Sequence, residues 1–359
     1  MKKNILTSSV TPIIGGLIMG AIAALLAILG NPANMGLCIA CFTRDIAGAL
    51  GLHSAAVVQY LRPEVMGIVL GAFIAAVVSK EFSPRAGSNT FLRFTLGVFA
   101  MIGSLVFLGC PWRTILRLAG GDVNAVFGLL GIIAGSGIGV LFWNKGYDLG
   151  SSTKQPKLSG LIPAIGAVVL VLLAIFPIKF SENGPVFAST SGPGSLHAPA
   201  LISLGLSAVV GFIAQRSRFC TIGGIRDGIY FREFHNTIAV AVFFLTALVI
   251  NIFSGRFNLS MVNQPVAHTD FLWNFLSMVL AALCFTLAFG CPGRQLVLMA
   301  EGDLDSGIFI LGMLLGAAFS HNFNLASSAA GPTLYGKIAV IIGLAIACFI
   351  GFAMSKKEK

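Results

Sequence analysis

Residues 109–122 read GCPWRTILRLAGGD, and residues 290–303 read GCPGRQLVLMAEGD. The two stretches share Gly, Cys, Pro, Arg, Ala, Gly and Asp at identical positions. The cysteine of the first stretch lies 72 residues after Cys38, and that of the second lies 71 residues after Cys220. Each of these earlier cysteines stands six residues before an Arg-Asp pair. Two matched motifs at nearly equal separation predict an internal structural repeat.

The composition of the chain sets its class. Of the 359 residues, 56% are hydrophobic and only 10% are charged, and the mean hydropathy is +0.92. Soluble domains carry about 25% charged residues because their surfaces face water. A chain with so little polar surface is expected to place apolar side chains against the hydrocarbon of a lipid bilayer. We therefore predict an all-α polytopic membrane protein.

The apolar stretches predict where the chain crosses the bilayer, since a spanning helix needs about 20 mostly apolar residues. By that criterion the chain has ten candidate transmembrane spans, separated in four places by shorter segments that begin at or beside a cysteine. These shorter segments predict broken or re-entrant helices, because irregular backbone at membrane depth survives only when protein or a polar cavity surrounds it. The spans cover about 11–30, 60–80, 90–109, 123–144, 160–180, 199–215, 236–256, 270–290, 304–321 and 336–354, and the short segments are Cys38–Leu50, Pro111–Gly120, Cys220–Phe231 and Pro292–Glu301.

The distribution of charge predicts which loops face the cytoplasm. Lys2 and Lys3 favour a cytoplasmic N-terminus, and the lysine-rich tail favours a cytoplasmic C-terminus. This bias accounts for the net charge of +10, and no basic-aromatic patch suits nucleic acid, so no nucleic-acid partner is expected. The basic loops predicted inside are 80–93, 145–158 and 216–235, and the loops predicted outside, without Lys or Arg, are 181–198 and 322–335.

Residues 181–198 (SENGPVFASTSGPGSLHA) divide the chain into two halves. Their content of Gly, Ser and Pro is typical of a flexible linker, predicted here to be extracytoplasmic. The first predicted repeat covers 1–180 and the second covers 199–359, each with five spans and two short cysteine-bearing helices. Because five is odd, the second half would enter the membrane from the opposite side, so the repeat is predicted to be inverted.

The Gly-Cys-Pro-x-Arg sequence predicts how the short helices begin. Pro111 suits the first position of a helix, which places Cys110 at the N-cap, and Gly120-Gly121 then end the helix. Cys291-Pro292 repeats the pattern. A helix start inside the protein aims free N–H groups and a positive dipole end at its ligand, which favours an anion. A cysteine adds a polarizable sulfur, which suits a soft chalcogen solute better than a hard ion such as sodium.

The candidate pathway residues are the cysteines of the short segments. Two other cysteines, Cys284 and Cys348, lie inside spans and outside the motifs, so we expect them to be packing residues. Cys38-x-x-Cys41 also has the spacing of a redox pair, but Gly223 stands where Cys41 would be in the second half. The predicted substrate pathway contains Cys38, Cys41, Cys110, Cys220 and Cys291.

Four arginines accompany these cysteines at membrane-adjacent depth, where charges are costly and usually functional. They would offset the charge of a passing anion, or form ion pairs that hold the broken helices, and the two roles can coexist. The sequence has no zinc spacing, P-loop, dinucleotide fingerprint or HExxH motif, so no metal, cofactor or enzymatic activity is expected. The arginines are Arg44, Arg113, Arg226 and Arg294, and the expected ion-pair partners are Asp45, Asp122, Asp227 and Asp303.

Four motifs together resemble the YeeE/YedE family of sulfur and selenium membrane transporters. The RFC sequence of the second half and the chain length look most like the YedE-type branch associated with selenium metabolism. The motifs are GxCxxCFTRD at 36–45, FLGCPWRTILRLAGGD at 107–122, RFCTIGGIRD at 218–227 and AFGCPGRQLVLMAEGD at 288–303.

The resemblance implies an hourglass-shaped fold in a bacterial inner membrane, with short helices that meet at the waist. It also implies that Cys38, Cys110 and Cys291 relay the solute through hydrogen bonds to sulfur, and that a small cytoplasmic sulfur- or selenium-carrier protein is a partner. The leading hypothesis is uptake of a small selenium species, either selenite or a reduced form. The alternatives are uptake of thiosulfate or another sulfur anion, and a membrane thiol-disulfide oxidoreductase that uses Cys38 and Cys41.

Overall fold

A computed structural model describes residues 10–176 and 186–355, and this part of the chain is almost entirely helical. The described helices include ten long ones and four short ones, joined by loops. Lys2, Lys3, the lysines of the tail and the first five residues of the predicted linker 181–198 lie outside the described residues. The predicted cytoplasmic position of both termini stays a prediction.

The long helices follow the predicted spans closely. Among the described residues, nine helical stretches are long and apolar enough to cross a membrane, counting Thr90–Ala119, Ala200–Phe231 and Phe271–Ala300 as continuous with the shorter segments that end them. The chain is therefore a polytopic helical membrane protein. The long helices are α1 (Val10–Ile28), α3 (Pro63–Val78), α4 (Thr90–Phe107), α6 (Asn124–Asn144), α7 (Lys157–Ile175), α8 (Ala200–Ser217), α10 (His235–Phe253), α11 (Phe271–Leu287), α13 (Leu304–Asn322) and α14 (Leu334–Ala353).

The helix α3 differs from its prediction. A span over 60–80 was expected, but α3 has 16 residues, which is about 24 Å at 1.5 Å per residue and short of the ~30 Å hydrocarbon core. The reason lies at its start, where Pro63 takes the first helical position and the side chain of Arg62 leaves the helix to bind Asp45 at 2.7 Å. The residues before Pro63 therefore belong to the loop that precedes α3 and do not extend the helix.

Four short helices lie between the long ones, as predicted. They are α2 (Ile39–Ala49), α5 (Pro111–Ala119), α9 (Thr221–Arg226) and α12 (Pro292–Ala300). The segment Asp227–Phe231 continues α9 as a π-helix, and Arg85–Ala86 pairs antiparallel with Thr153–Lys154 in a two-residue ribbon. The predicted short segments are thus confirmed as helices.

The long helices of one half pack against those of the other. The helix α1 lies along α10 and α3 lies along α8, while α4 lies along α13 and α6 along α11. Small residues permit these close approaches, since a Cβ on Gly71 would lie 1.9 Å from the backbone oxygen of Ala208, and a Cβ on Gly16 would lie 2.3 Å from that of Ala239. Each contact thus has a counterpart in which the two halves exchange places.

Candidate functional site

The short helices α5 and α12 begin at a sharp reversal of the chain. Leu108 and Phe289, which occupy matching places in the two motifs, have left-handed backbones with φ of 65° and 67°. This conformation costs a non-glycine residue about 1–2 kcal/mol, so the surrounding packing must impose it. The reversal turns the chain from the end of a long helix into Cys110 and Cys291, which are the N-caps of α5 and α12. The predicted N-cap positions are confirmed.

The first thiol cluster comprises Cys38, Cys41 and Cys110. The sulfurs of Cys38 and Cys110 lie 3.9 Å apart, within hydrogen-bond range for thiols. Cys38 is itself the N-cap of α2, and its sulfur accepts the backbone N–H of Cys41 at 3.4 Å. The sulfur of Cys41 lies 4.0 Å from the carbonyl oxygen of Leu108. The cluster therefore joins the starts of α2 and α5 through their cysteines.

The second thiol cluster comprises Cys220 and Cys291. The sulfur of Cys220, the N-cap of α9, accepts the backbone N–H of Gly223 at 3.2 Å and that of Cys291 at 3.5 Å. Gly223 therefore supplies the same backbone donor that Cys41 supplies in the first cluster, but it adds no third thiol. The two clusters share one backbone design and differ in side chains.

All five predicted pathway cysteines are buried free thiols. Cys284 is buried within α11, and Cys348 is half-buried within α14, so both occupy long helices away from the helix starts. In the described part of the chain no group of three or more Cys, His, Asp or Glu side chains is arranged to hold a metal ion.

Arg113 lies beside the first thiol cluster and is fully buried. Its guanidinium donates to the carbonyl oxygens of Leu108, of Pro265 at 3.1 Å and of Val266 at 3.2 Å, and it lies 3.8 Å from the sulfur of Cys41. Within the described residues it forms no ion pair with a carboxylate. Carbonyl dipoles satisfy its N–H groups without cancelling its charge, so the cationic side chain beside the first cluster keeps its charge.

Arg294 lies beside the second thiol cluster and is held differently. Its guanidinium lies 3.4 Å from the carboxylate of Glu301, which also binds Arg218 at 2.9 Å. Arg218 in turn binds Glu81 at 2.8 Å, and 45% of its side chain is exposed. The charge of Arg294 is thus offset by an ion-pair network that reaches the surface.

Glu81 completes this network from the loop between α3 and α4. Burial alone would raise the pKa of the Glu81 carboxyl, but the hydrogen bond from Gln215 and the charges of Arg218 and Arg216 hold that pKa below its usual value. The carboxyl is therefore ionised at neutral pH and available to both arginines.

The predicted Arg–Asp pairs are confirmed at two sites and wrong at two. Arg44 binds Asp45 at 2.6 Å, and Arg226 binds Asp227 at 2.5 Å. Each of these arginines therefore pairs with the residue that follows it in its own short segment. They lie in the same short segments as the thiols, but their hydrogen bonds in the described residues go to the neighbouring aspartates.

Arg113 and Arg294 do not bind Asp122 and Asp303, contrary to expectation. The turn at Gly121 (φ 88°) brings Asp122 back to Arg117, with which it pairs at 2.6 Å. In α12 a leucine occupies the place of Arg117, so Asp303 pairs instead with Arg85 of the other half, at 2.9 Å. Ion pairing here depends on the last turn of each helix, which the motif alone does not describe.

A loop from each half holds the end of the short helix of the other half. The backbone N–H groups of Asn258 and Ser260 donate to the carbonyls of Gly120 and Gly121, at the end of α5. At the end of α12, Ser83 and Arg85 donate in the same way to the carbonyls of the matching residues, Glu301 and Gly302. These exchanged contacts fix both short helices at their C-termini and leave their cysteine-bearing N-termini facing the interior.

The sequence pattern missed residues that bind the short helices from far along the chain. Glu301 and Arg218 stand 83 positions apart yet share a 2.9 Å ion pair, and Arg62 binds Asp45 from outside α2. One available signal was the difference between the paired motifs, since GCPW is matched by GCPG. The two motifs differ at their fourth residue, which is Trp112 in the first half and Gly293 in the second.

A protein-family model described as Sulphur transport matches residues 1–110 of the chain. The matched part covers under half of the chain, ends at Cys110 and contains the whole first thiol cluster. No curated protein matches the chain. The similarity to a sulfur-transport family therefore covers residues 1–110.

Proposed function

We propose that this chain carries a small sulfur-containing anion across the membrane along a route that joins the two thiol clusters. The observation that carries the proposal is the placement of Cys110 and Cys291 as N-caps of two buried helices whose other ends are fixed. The match of residues 1–110 to the Sulphur transport family supports a sulfur species as the solute. The nine helical stretches of the described residues that are long enough to span a membrane provide the transmembrane body that such a carrier needs.

The chemistry of each cluster suits an anion with a soft sulfur atom. Free N–H groups and the positive end of the helix dipole favour negative charge at the starts of α5 and α12. The thiols add weak S–H donors and polarizable sulfurs, which match a terminal sulfur atom. Arg113 adds an uncompensated positive charge next to the first cluster. A thiosulfate-like anion would meet donors at both of its ends.

The same proposal includes an inverted relation between residues 1–180 and 199–359. The exchanged helix contacts, α1 with α10 and α3 with α8, are those expected of two halves related by a two-fold axis. The exchanged loop contacts at the ends of α5 and α12 support the same relation. Under it, the first thiol cluster serves the outside, the second serves the cytoplasm, and the protein works in a bacterial inner membrane.

Transport assays with purified protein in liposomes test the function and the substrate together. Liposomes would receive either ³⁵S-thiosulfate or ⁷⁵Se-selenite outside, and the initial rate of uptake would be measured for each. We expect saturable thiosulfate uptake. Selenium specificity, which the RFC sequence favours, predicts instead that selenite is carried and that it competes with thiosulfate at equimolar concentration.

Single cysteine variants test the route. Cys110→Ala and Cys291→Ala are each expected to lower uptake at least tenfold, because each removes an S–H donor at a buried helix start. Cys284→Ala is the matched control, since it removes an equally buried thiol from a long helix and should leave uptake near the wild-type rate.

The oxidoreductase hypothesis makes the opposite prediction for these variants. It expects thiol exchange to depend on Cys38 and Cys41 and to be insensitive to Cys291→Ala. Loss of reductase activity in Cys41→Ser, together with wild-type reductase activity in Cys291→Ala and no uptake of either anion, would overturn the transport proposal. A selenocysteine-free host would keep the assay free of background selenium chemistry.

A further inference from the structure

The indole of Trp112 begins beside the first thiol cluster and packs against the second half of the chain near Cys220 and Cys291. Trp112 is the second residue of α5, two positions after Cys110, and its side chain is fully buried. A Cβ built on Gly293, two positions after Cys291, would lie 2.2 Å from Cζ2 of this indole. The ring centroid also lies 5.7 Å from that of Phe219, the residue before Cys220. One side chain from the first half therefore touches the neighbours of both cysteines of the second.

The contact depends on unequal residues at matching places. Trp112 and Gly293 are the fourth residues of the two GCPxR motifs. Two tryptophans there would collide, since even the Cβ of an alanine at 293 would lie 2.2 Å from an indole carbon. Two glycines would leave an opening between the helix starts. The pair of one large and one absent side chain therefore fills the space between the starts of α5 and α12 once.

The indole also brings an unused hydrogen-bond donor to this place. Nε1 of Trp112 is buried and has no acceptor among the described residues. The six-membered ring of the indole faces the start of α12, since Cζ2, Cε2 and Cη2 would lie 2.2, 2.5 and 2.9 Å from a Cβ on Gly293, and Nε1 is bonded to Cε2. The hydroxyl of Thr221, the first residue of α9 after Cys220, is likewise buried without a partner. Buried donors are normally paired, and leaving one unpaired is costly unless a ligand uses it.

We propose that Trp112 is the specificity-determining residue of the pathway: its indole separates the two thiol clusters, and its Nε1–H donates a hydrogen bond to the anion that passes from Cys110 to Cys291. The proposal rests on the transport function proposed above. No covalent bond forms between the anion and Trp112, so this residue acts only through the shape of its ring and through one hydrogen-bond donor. Ions without a suitable acceptor meet an apolar ring instead.

The first experiment separates the donor from the ring. Trp112→Phe keeps an aromatic ring and removes the N–H, so the KM for thiosulfate uptake into liposomes should rise about tenfold, the usual effect of losing a hydrogen bond to a charged group. Leak of preloaded sulfate should stay at the wild-type level, because the ring still fills the space. Trp273→Phe, near the start of α11, is the matched control and should leave both values unchanged.

The second experiment tests the separation. Trp112→Gly removes the ring and should raise sulfate leak at least tenfold. The double variant Trp112→Gly with Gly293→Trp returns a ring from the other half and should restore a low leak. Gly293→Ala alone should reduce uptake, since its methyl group displaces the indole. A low leak in Trp112→Gly would show that the ring does not close the route and would overturn the proposal.

Binding can be followed without transport, because the chain has only three tryptophans. In a Trp143→Phe, Trp273→Phe variant in nanodiscs, thiosulfate should shift the emission of Trp112, and the shift should be absent when Cys110 is also replaced by Ala. If the wild type carries and binds no anion, the proposed function and this inference fall together. If the wild type carries thiosulfate but Trp112→Phe has the wild-type KM and emission does not respond, only the role of Trp112 is overturned.

Discussion

The two thiol clusters begin with the same helix starts, but the arginine beside each is held in a different way. Arg113, at the first cluster, is fully buried and donates to four carbonyl oxygens. Arg294, at the second, shares the carboxylate of Glu301 with the half-exposed Arg218. The first cluster therefore keeps its positive charge, and the second has its charge offset. This difference would favour capture of an anion at the first cluster and release at the second.

The comparison of the two clusters also shows that the repeated segments share their backbone geometry and differ in how their charged side chains are paired. In both clusters the sulfur of the N-cap cysteine, Cys38 or Cys220, accepts the backbone N–H of the residue three positions later. In both, a left-handed residue, Leu108 or Phe289, stands two positions before the other cysteine. Backbone geometry places the helix dipoles, which a transported anion needs on both sides. Side-chain charge then sets how tightly each side holds it.

The largest expected effect comes from removing the two arginines separately. Arg113→Gln leaves several buried carbonyls without their donor and removes the uncompensated charge, so we expect uptake to fall at least tenfold and stability to fall by about 3 kcal/mol. Arg294→Gln should cost less, because Glu301 keeps Arg218 as its partner. Uptake kinetics and thermal unfolding in detergent would measure both. Equal losses in the two variants would break the comparison.

Removing the charge of Glu301 should make the cause of the difference between the two clusters clearer. Glu301→Gln leaves Arg294 and Arg218 without their shared carboxylate, so the second cluster becomes more like the first. We expect the KM for the anion to fall about threefold and the maximal rate to fall as well, since a more strongly held anion leaves more slowly. Liposome uptake over a range of thiosulfate concentrations would separate the two parameters. A higher KM would contradict the assigned role of Glu301.

A smaller effect is expected from the third thiol of the first cluster. Cys41→Gly gives the first cluster the residue that the second has at Gly223, and the backbone donor to Cys38 is retained. Loss of one weak S–H donor should raise the KM by about threefold. Gly223→Ala, which adds a small group without a thiol, is the control for steric effects. A loss as large as that of Cys110→Ala would favour a redox role for Cys41.

The sequence could predict the features that follow local rules. Proline after a cysteine and glycine nine or ten residues later specify a short helix, and α5 and α12 have the expected starts. Adjacent Arg-Asp pairs also pair in space, as Arg44 does with Asp45. In these cases the partner lies within one turn of the same segment.

Contacts between the halves could not be predicted in the same way. The ion pair of Arg85 with Asp303 depends on which loop of one half reaches which helix end of the other, as does that of Glu81 with Arg218. The contact of Trp112 with Gly293 depends on the distance between two helix starts that lie far apart in the chain. The spacing of motifs gives only the separation of residues along the chain, whereas these contacts depend on how the helices pack in three dimensions.

The smallest expected effect concerns the outermost member of the second cluster's network, Glu81. Its pKa is held below the usual value of about 4.3, so its ion pairs with Arg216 and Arg218 stabilise the folded state above that value and are lost as the pH falls through the lowered folded-state pKa. Glu81→Gln should therefore lower the unfolding temperature slightly at pH 6–8, and the gap from the wild type should narrow as the pH falls through the lowered folded-state pKa. Thermal unfolding of both proteins from neutral to acid pH would measure it. A gap that does not narrow at acid pH would mean that Glu81 stabilises the loop by packing, and that the network at the second cluster ends at Glu301 and Arg218.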